Sequence, residues 1–444
     1  MNTPLRLAVL LALIAPSSVF SQAIGPVEAR DLRLKVESLL TGELTRHWYP
    51  RSLDPDGAFH QTYARDWSPI PDENRFLVYQ SRMIWTAAAF ARHSAPHREE
   101  FEGYARRGVA YLDRTMRDAS SGGFHWLVEM DGKVSSSRGD EKHVYGTAFA
   151  LYAASTAYEI TRDETARKVA RDAYDWLEHR AHDDEHGGYF EAIARDGKPV
   201  ITYDPSAPVG KRTDRLGVYY GFKSMNSHIH LLEAVAEYYK IEKTPAVKAR
   251  LEELLTIVRD RIAAEPGALN LYLSRDWRPA PAHDSFGHDV ETAYLLVDAA
   301  EILGIPEDPV TWKVARSLID HALDWGWDDQ HGGFFDKGDV FAGKAYDTTK
   351  VWWTQAEGLN ALLLMDRKYS GETDRYIRAF RKQWAFIEAH MIDPEFGGWF
   401  GETTCEGRLI GDGRKATQWK ANYHTGRSLM NVSKRLGELA GEAR

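Results

Sequence analysis

One glycine-containing turn recurs along this chain of 444 residues at nearly constant spacing. Four copies carry an Asp four residues before a Gly-Gly-aromatic triplet, and two copies, in DPDGAF and EPGALNLYL, are degenerate. Self-similarity at a fixed period is typical of a repeat architecture. The first glycines of the six copies lie 65, 65, 80, 65 and 65 residues apart: Gly57, Gly122, Gly187, Gly267, Gly332 and Gly397.

Each repeat has a charged segment before the glycine and a more apolar, Ala-rich segment after it. In the charged segments, apolar residues recur every three or four positions, which predicts amphipathic outer helices. The apolar segments predict inner helices that are buried on most sides. The turn favours a short β-hairpin, because glycine reaches positive φ without strain. The alternation predicts an all-α fold, an (α/α)6 barrel or toroid of six helix pairs with short rim β-hairpins, formed by residues 24–444 as a single catalytic domain.

The third repeat is longer than the others by 15 residues, as the spacing of 80 against 65 shows. The additional residues fall in Asp196–Lys223, which is rich in Gly, Pro, Asp and Tyr. Long loops within compact domains are usually functional. We expect this loop to form a lid or a wall of a cleft.

The N-terminus resembles a secretory signal peptide. Arg6 is followed by the apolar run Leu7–Ala15, and Ser21 and Ala23 suit positions -3 and -1 of a cleavage site. The run is too short to span a bilayer. We predict a signal peptide over residues 1–23, a mature protein that begins near Ile24, and a periplasmic or secreted location with no membrane association after cleavage.

Charge and cysteine content restrict the partners. The net charge is -9 and no long basic run is present, which argues against nucleic acid. A single cysteine, Cys405, precludes an intrachain disulfide and argues against a Cys-based metal site. We expect a monomer.

In a toroid, the turn-side ends of the inner helices meet around one central cavity. All six of these ends carry large polar or aromatic residues, and their equivalent positions across repeats strengthen the signal. The candidates are Arg82, Trp85, His143, Tyr145, Asn226, His228, His230, His288, Asp289, Glu291, Trp352, Trp353, Gln355, Trp419, Lys420, Tyr423 and His424.

Two spacings couple a histidine to a carboxylate. His230 and Glu233, and likewise His288 and Glu291, are three residues apart, so each pair can share a helix face. A carboxylate there can fix the tautomer of the imidazole. Di-iron helical sites need more carboxylates and the reverse order, Glu-x-x-His. We therefore predict no metal.

The residue types favour proton chemistry on a sugar. Indole rings such as Trp352, Trp353 and Trp419 offer faces on which sugars stack, so we expect a small oligosaccharide as the substrate. Glycoside hydrolysis needs two carboxylates that flank the bond, and no convincing pair stands out. Histidine serves as acid or base near neutral pH, and arginine can stabilise an enediolate oxygen. Inversion at carbon requires two bases on opposite walls, which histidines on different helices of a toroid can provide.

Several stretches resemble those of cellobiose 2-epimerases, in the N-acylglucosamine 2-epimerase superfamily of (α/α)6 barrels. The resemblance runs from about residue 30 to the C-terminus, in the expected order. The stretches are QSRMIWT (80–86), HVYGTAFALYA (143–153), KSMNSHIHLLEA (223–234), FGHDVETAYLL (286–296), WWTQAEGLNALL (352–363) and WKANYHTGR (419–427).

The resemblance implies epimerisation, without a cofactor, at C2 of the reducing-end aldose of a β-1,4-linked disaccharide of the cellobiose or mannobiose type. The ring opens, a proton leaves C2, a cis-enediolate forms, and a proton returns to the other face. By motif position, His288 and His424 would be the opposed acid/base pair and Glu291 would orient His288. His230 would assist ring opening or hold the intermediate, and Arg82 would polarise the carbonyl. The sugar would be bound by Asn226, Tyr145, Trp353 and Trp419.

Three alternatives stay open at this point. One is an aldose–ketose isomerase or monosaccharide 2-epimerase of the same superfamily, which would use nearly the same residues. The isomerase would return the proton to C1 instead of C2. The others are an (α/α)6 glycoside hydrolase or lyase and a non-catalytic sugar-binding toroid.

Overall fold

The computed structural model describes residues 23–135 and 141–442, in which twelve α-helices alternate between two layers. The outer helices are α1 (Pro26–Gly42), α3 (Arg98–Tyr111), α5 (Glu164–Trp176), α7 (Pro245–Ile257), α9 (Pro309–Trp325) and α11 (Arg375–Phe386). The inner helices are α2 (Leu77–His93), α4 (Val144–Thr161), α6 (Met225–Ile241), α8 (Phe286–Ile302), α10 (Trp352–Tyr369) and α12 (Tyr423–Leu439).

The inner helices form a closed ring. Each packs against the next in chain order, and α12 packs against α2. Each outer helix covers the inner helix that precedes it, so that α1 covers α12 and links the two ends of the chain. Every residue from Leu77 to Ala91 of α2 is buried, as the apolar composition of the inner segments predicts. The predicted (α/α)6 barrel is confirmed.

Short antiparallel strands join neighbouring repeats at the turn side of the barrel. A strand directly before an inner helix pairs with a strand that follows the next glycine turn, as in β1–β2, β3–β4, β5–β8, β10–β11 and β13–β14. A bridge between Tyr63 and Ala416 joins the last repeat to the first. The strands are β1 (Asn74–Phe76), β2 (Leu127–Glu129), β3 (Lys142–His143), β4 (Ala192–Ile193), β5 (Phe222–Ser224), β6 (Ala263–Ala264), β7 (Ala268–Leu269), β8 (Tyr272–Ser274), β9 (Pro279–Ala280), β10 (Asp284–Ser285), β11 (Lys337–Asp339), β12 (Lys344–Asp347), β13 (Lys350–Val351) and β14 (Glu402–Thr403).

The glycine turns have the predicted conformation. The first glycine of all six copies has positive φ, from 66° at Gly397 to 132° at Gly267. The second glycine of the triplet is needed for close packing as well. A Cβ atom on Gly123 would lie 2.7 Å from the ring of Trp176. These turns therefore hold the end of one outer helix against the next unit.

A buried lysine holds the Asp of each Gly-Gly turn. The Nζ of Lys142 lies 2.8 Å from Asp118, and that of Lys223 lies 2.9 Å from Asp183. Lys350 and Asp328, and Lys415 and Asp393, repeat the pair at 2.8 and 2.7 Å. Removal of one partner from such a buried pair costs about 3–5 kcal/mol, because the other charge is left uncompensated.

The fourth repeat, one of the two degenerate copies, replaces this pair. Ala263 occupies the place of the turn Asp, and Asp284 occupies the place of the lysine, two residues before the inner helix. Nε2 of His321 on α9 lies 2.6 Å from Asp284, and both side chains are buried. A carboxylate is therefore kept in a buried hydrogen bond although the lysine is absent.

The long loop of the third repeat is attached beside the start of α4. Asp214 lies 2.9 Å from Nε2 of His143, and both side chains are buried. Nδ1 of His143 accepts a hydrogen bond from the backbone N–H of Tyr145. The loop therefore lies at the rim next to a predicted sugar-binding residue.

The predicted signal peptide lies outside the residues that the structure describes, apart from Ala23, and stays a prediction. Within residues 23–135 and 141–442, no helix is both long and apolar enough to cross a membrane.

Candidate active site

Short strands directly before α2, α4, α6, α8 and α10 set where these helices begin, and thus the height of the residues in their first two turns. The first two turns of the inner helices carry Arg82, Tyr145, His230, His288, Trp353 and His424, one from each helix. The side chains lie together at this end of the barrel. Arg82 donates to the hydroxyl of Tyr145 at 3.2 Å, and the ring of Tyr145 lies 5.2 Å from that of His230.

Trp353 lies between the two histidines of the predicted pair. Its ring centroid is 4.8 Å from that of His288 and 5.6 Å from that of His424. The helix that carries Trp353, α10, packs between α8 and α12, which carry the histidines. A sugar stacked on Trp353 would therefore have one imidazole on each side.

His424 is held by carboxylates. Its Nδ1 lies 2.7 Å from Oε1 of Glu357 and 3.8 Å from Oε1 of Glu291. An Nδ1–H that donates to a carboxylate leaves Nε2 to accept or donate a proton at the substrate. Burial holds the pKa of His424 well below its usual value, although the Glu291 carboxylate opposes this effect. The imidazole is therefore a neutral base at neutral pH.

His230 has the partner that its spacing predicts. Its Nδ1 lies 2.6 Å from Oε1 of Glu233, and both side chains are buried. The predicted His230–Glu233 pair is confirmed. Burial lowers the pKa of His230 to about 3.

His288 is held by a hydroxyl instead of a carboxylate. Its Nδ1 lies 2.7 Å from Oγ of Ser285, the N-cap residue of α8. The prediction that Glu291 orients His288 is wrong, because the carboxylate of Glu291 hydrogen-bonds the guanidinium of Arg427 and faces His424. Burial lowers the pKa of His288 to about 3.

Arg427 joins the carboxylates under the histidines. Its guanidinium donates to Oε2 of Glu233 at 2.7 Å, to Oε1 of Glu357 at 2.6 Å, and to Glu291. It is 3% exposed, and the three carboxylates lie at 6% exposure or less. Burial raises the pKa of Glu233 and of Glu357, and Arg427 opposes that shift. The four residues form a single network that touches both His230 and His424.

This network also bears on metal binding. Glu291, Glu357 and His424 lie close enough together for their ligand atoms to share a metal ion. The guanidinium of Arg427 already bonds both carboxylates. A metal ion at this place would have to compete with the positive charge of Arg427.

Arg82 is positioned by stacking and by two hydrogen bonds. Its guanidinium lies 4.7 Å from the ring centroid of Phe149 and 5.1 Å from that of Tyr423. It donates to the backbone carbonyl of Trp419 as well as to Tyr145. Among the described residues, its Nε–H has no hydrogen-bond partner.

The other predicted sugar-binding residues differ in their surroundings. Trp419 is 38% exposed and packs edge-on against Phe76 at 4.8 Å. Asn226 is partly buried, and its carboxamide oxygen has no hydrogen-bond partner. The ring of Trp352 packs against the hydrophobic core, and the ring of Trp353 contacts the histidines. The role of Trp352 in sugar binding stays a prediction.

Sequence reasoning assigned no role to Arg427, Glu357 or Ser285. Arg427 is one turn after His424, and Glu357 is one turn after Trp353, so helical spacing places both below the cavity. Both residues could have been found in the sequence from this helical spacing. Ser285 could have been found as the N-cap that precedes an inner helix.

The fold and the site define an (α/α)6 toroid with histidines and buried carboxylates at one end of its inner helices. The family model described as N-acylglucosamine 2-epimerase matches residues 57–427. The chain belongs to this family. Its relatives are named epimerases and isomerases, and the protein is a carbohydrate epimerase or isomerase.

Three comparisons illustrate the similarity. A cellobiose 2-epimerase from Bacteroides fragilis is 27% identical over 414 residues, which cover 92% of this chain and 99% of that protein. A D-mannose isomerase from Marinomonas mediterranea is 27% identical, over 88% of this chain and 94% of that protein. The solved structure of a cellobiose 2-epimerase from Spirochaeta thermophila matches with a TM-score of 0.77 at 30% identity, and covers 92% of this chain and 98% of that chain.

Proposed function

We propose that the protein inverts C2 of the reducing-end aldose of a β-1,4-linked disaccharide and so interconverts glucose-type and mannose-type reducing ends. The observation that carries this proposal is the pair of imidazoles, His288 and His424, on either side of the Trp353 ring. Inversion requires removal of a proton from one face and its return on the other. A stacked sugar between two bases meets that requirement.

The reaction begins with opening of the sugar ring, for which His230 is placed beside Tyr145 and Arg82. One histidine then takes the proton from C2, and the electron pair forms a cis-enediolate. Arg82 stabilises the charge on its oxygen, since a fixed guanidinium costs no reorganisation. The other histidine must enter this step protonated; it donates its proton to the opposite face of C2 and is left as the base for the reverse reaction. The reaction is reversible, and either histidine can act first.

The carboxylates support an epimerase over a hydrolase. Retaining and inverting hydrolases need two carboxyl groups that flank the glycosidic bond. Glu233, Glu291 and Glu357 are instead bonded to Arg427, and two of them also hold histidines. Their role is to position bases.

Aldose–ketose isomerisation is the second candidate, favoured by the similarity to a D-mannose isomerase. It shares the enediolate and differs only in returning the proton to C1. The two are separated by incubation with cellobiose or mannobiose in D2O, followed by NMR and mass spectrometry. We expect deuterium at C2 of a 2-epimer. A ketose product would support the isomerase, and release of monosaccharide would contradict both.

The largest effect should come from the two histidines themselves. We expect His288→Ala and His424→Ala each to lower kcat by at least about 10²–10⁴-fold, the contribution of a general acid or base. His179→Ala, at an exposed position on the outer layer, is the matched control and should keep full activity. Near-normal turnover in either cavity variant would disprove the two-base assignment.

We further propose, from residues 1–23, that the protein is exported and acts on oligosaccharides outside the cytoplasm. Mass spectrometry of protein recovered from the periplasm or medium should give an N-terminus near Ile24. An intact Met1 would contradict this proposal.

A further inference from the structure

The last inner helix, α12, begins after an irregular segment instead of a strand. Strands β1, β3, β5, β10 and β13 run directly into α2, α4, α6, α8 and α10. Between β14 and α12, where every residue is described, there is no strand. Trp419, a predicted sugar-binding residue, is exposed on this segment. Other contacts must hold the indole in place.

Lys420, the next residue, is a buried lysine whose ammonium group is surrounded by backbone oxygens. The residue is 5% exposed. Its Nζ donates to the carbonyl of Trp399 at 2.5 Å, to that of Lys415 at 2.9 Å and to that of Arg414 at 3.2 Å. An ammonium group has three N–H donors, so these three bonds use all of them.

These bonds favour the charged form of the lysine. Burial lowers the pKa of Lys420 to about 7, Lys415 adds to this shift, and the buried carboxylate of Glu43 opposes it. A neutral amine has only two donors for three carbonyl oxygens, so the hydrogen bonds stabilise the ammonium ion. The lysine is therefore held in its protonated state by the backbone around it.

Other repeats make the same connection from a helix. Gln80, the fourth residue of α2, exchanges two hydrogen bonds of 2.7 Å with the backbone of Phe59, which follows the first glycine turn. Gln355, the fourth residue of α10, makes the equivalent pair at 2.7 and 3.1 Å after its own turn. The fourth residue of α12 is Gly426, which has no side chain for such a bond. The sixth repeat makes the connection through Lys420 instead.

The carbonyls that Lys420 binds belong to two parts of the sixth repeat. Trp399 directly follows the glycine turn, and Arg414 and Lys415 precede Ala416, whose bridge joins the last repeat to the first. The ammonium group thus ties the segment before α12 to the glycine turn and to the closure of the ring.

A shift of this segment would affect the site in two ways. The backbone carbonyl of Trp419 accepts a hydrogen bond from Arg82 at 3.2 Å. The indole ring packs edge-on against Phe76 at 4.8 Å and lies 6.5 Å from the ring of Tyr145. Movement of the peptide between Trp419 and Lys420 would therefore displace both the indole and an acceptor of Arg82.

We propose that Lys420 is a positioning residue for the sugar, because its ammonium group holds the indole of Trp419 in place before the sugar binds. This role rests on the function proposed above, in which a sugar stacks on Trp419. Ordering a binding side chain in advance raises affinity, since less freedom is lost when the ligand arrives. Loss of the ammonium group should therefore weaken binding although Lys420 itself is buried.

Lys420→Met tests this proposal, because it keeps the length of the side chain and removes the three donors. Affinity is measured by titration calorimetry with reduced cellobiose, whose open-chain end cannot be epimerised. We expect binding to weaken by about tenfold. Leu254→Ala, at a buried position on the outer helix α7, is the control and should lower Tm without changing affinity.

Unchanged affinity in Lys420→Met would overturn the proposal, and so would a wild-type protein that does not bind reduced cellobiose. If Lys420→Met does not fold, Lys420→Gln takes its place. Its amide has two N–H donors instead of three and no charge. Binding should weaken in this variant as well, and unchanged affinity would again overturn the proposal.

A double variant separates positioning of the indole from a general loss of structure. In a Trp419→Ala background, Lys420→Met should weaken affinity by less than about twofold, because the ring on which it acts is already absent. The full effect in that background would show that Lys420 acts on another part of the site and would overturn the proposal.

A second readout needs no substrate and so separates this proposal from the proposed function. In protein that contains fluorotryptophan, the fluorine NMR resonance of Trp419 is identified by its loss in Trp419→Phe. Lys420→Met should shift or broaden this resonance, and Leu254→Ala should not. An unchanged resonance in Lys420→Met contradicts the positioning role. If C2 deuteration fails while affinity and fluorine spectra are as expected, the epimerase is disproved and the positioning role stands.

Discussion

The two histidines that flank Trp353 are held in different ways. His424 contacts Glu357 and Glu291, which are tied to the buried Arg427. His288 contacts only the hydroxyl of its own N-cap residue, Ser285, through Nδ1. A carboxylate stabilises an imidazolium far more than a hydroxyl does, because the interaction is between charges in a dry site. The difference indicates that His424 holds an abstracted proton more firmly than His288 does.

Replacement of Arg427 should have the largest effect on the difference between His424 and His288. We expect Arg427→Met to lower kcat by at least 10²-fold and to destabilise the protein by about 3–5 kcal/mol, because Glu233, Glu291 and Glu357 would be left without their common cation. Urea unfolding and kcat measured together check both effects. Arg367→Met, on the exposed end of α10, is the control and should change neither appreciably. A stable and active Arg427→Met protein would show that the network has no role in holding His424.

Glu357→Gln should have the next largest effect. The amide keeps the shape of the side chain but cannot stabilise an imidazolium at His424, so kcat should fall by about 10²-fold with little change in KM. The comparison variant is Glu291→Gln, whose carboxylate lies 3.8 Å from Nδ1 of His424 instead of 2.7 Å. It should lose less activity. Equal losses in the two variants would contradict the assignment of Glu357 as the main partner.

The effect of pH on the free energy of unfolding should be smaller than the effects of these substitutions. Burial lowers the pKa of His230 and of His288 to about 3, from an ordinary value near 6.5. Between these values the unfolded chain binds protons that the folded protein does not, so stability falls as pH drops from about 6.5 towards 3. The free energy of unfolding should therefore decrease across this range, and His288→Gln should reduce the slope. If the slope of the free energy of unfolding against pH is unchanged in that variant, groups other than His288 take up the protons.

The smallest effect should come from Ser285. Its hydroxyl bonds His288 and makes no hydrogen bond to the helix backbone, whereas Ser224, the N-cap of α6, accepts from the backbone N–H of Ser227. Ser285→Ala should therefore lower kcat by less than about 10-fold and leave stability nearly unchanged. Ser224→Ala should instead cost about 1 kcal/mol of stability, as loss of an N-cap does. The reverse pattern would show that Ser285 is a structural cap.

Most of the helical architecture could be predicted from the sequence alone. Glycine turns and helical periodicity are local signals, so the spacing of 65 residues was enough to predict six outer and six inner helices. The starts of the inner helices depend on tertiary contacts. Helices α6 and α8 begin at Met225 and Phe286, directly after strands β5 and β10, which pair with a neighbouring repeat.

The sequence by itself determined the six-fold repeat, the residues in the first two turns of the inner helices, and the pair of His230 with Glu233. What only the tertiary structure decided is the partner of the other charged groups in the site. Glu291 has the same spacing from His288 as Glu233 has from His230, but Arg427 on a different helix holds it. A buried carboxylate takes the partner that best compensates its charge, and which cation is within reach depends on how the helices pack.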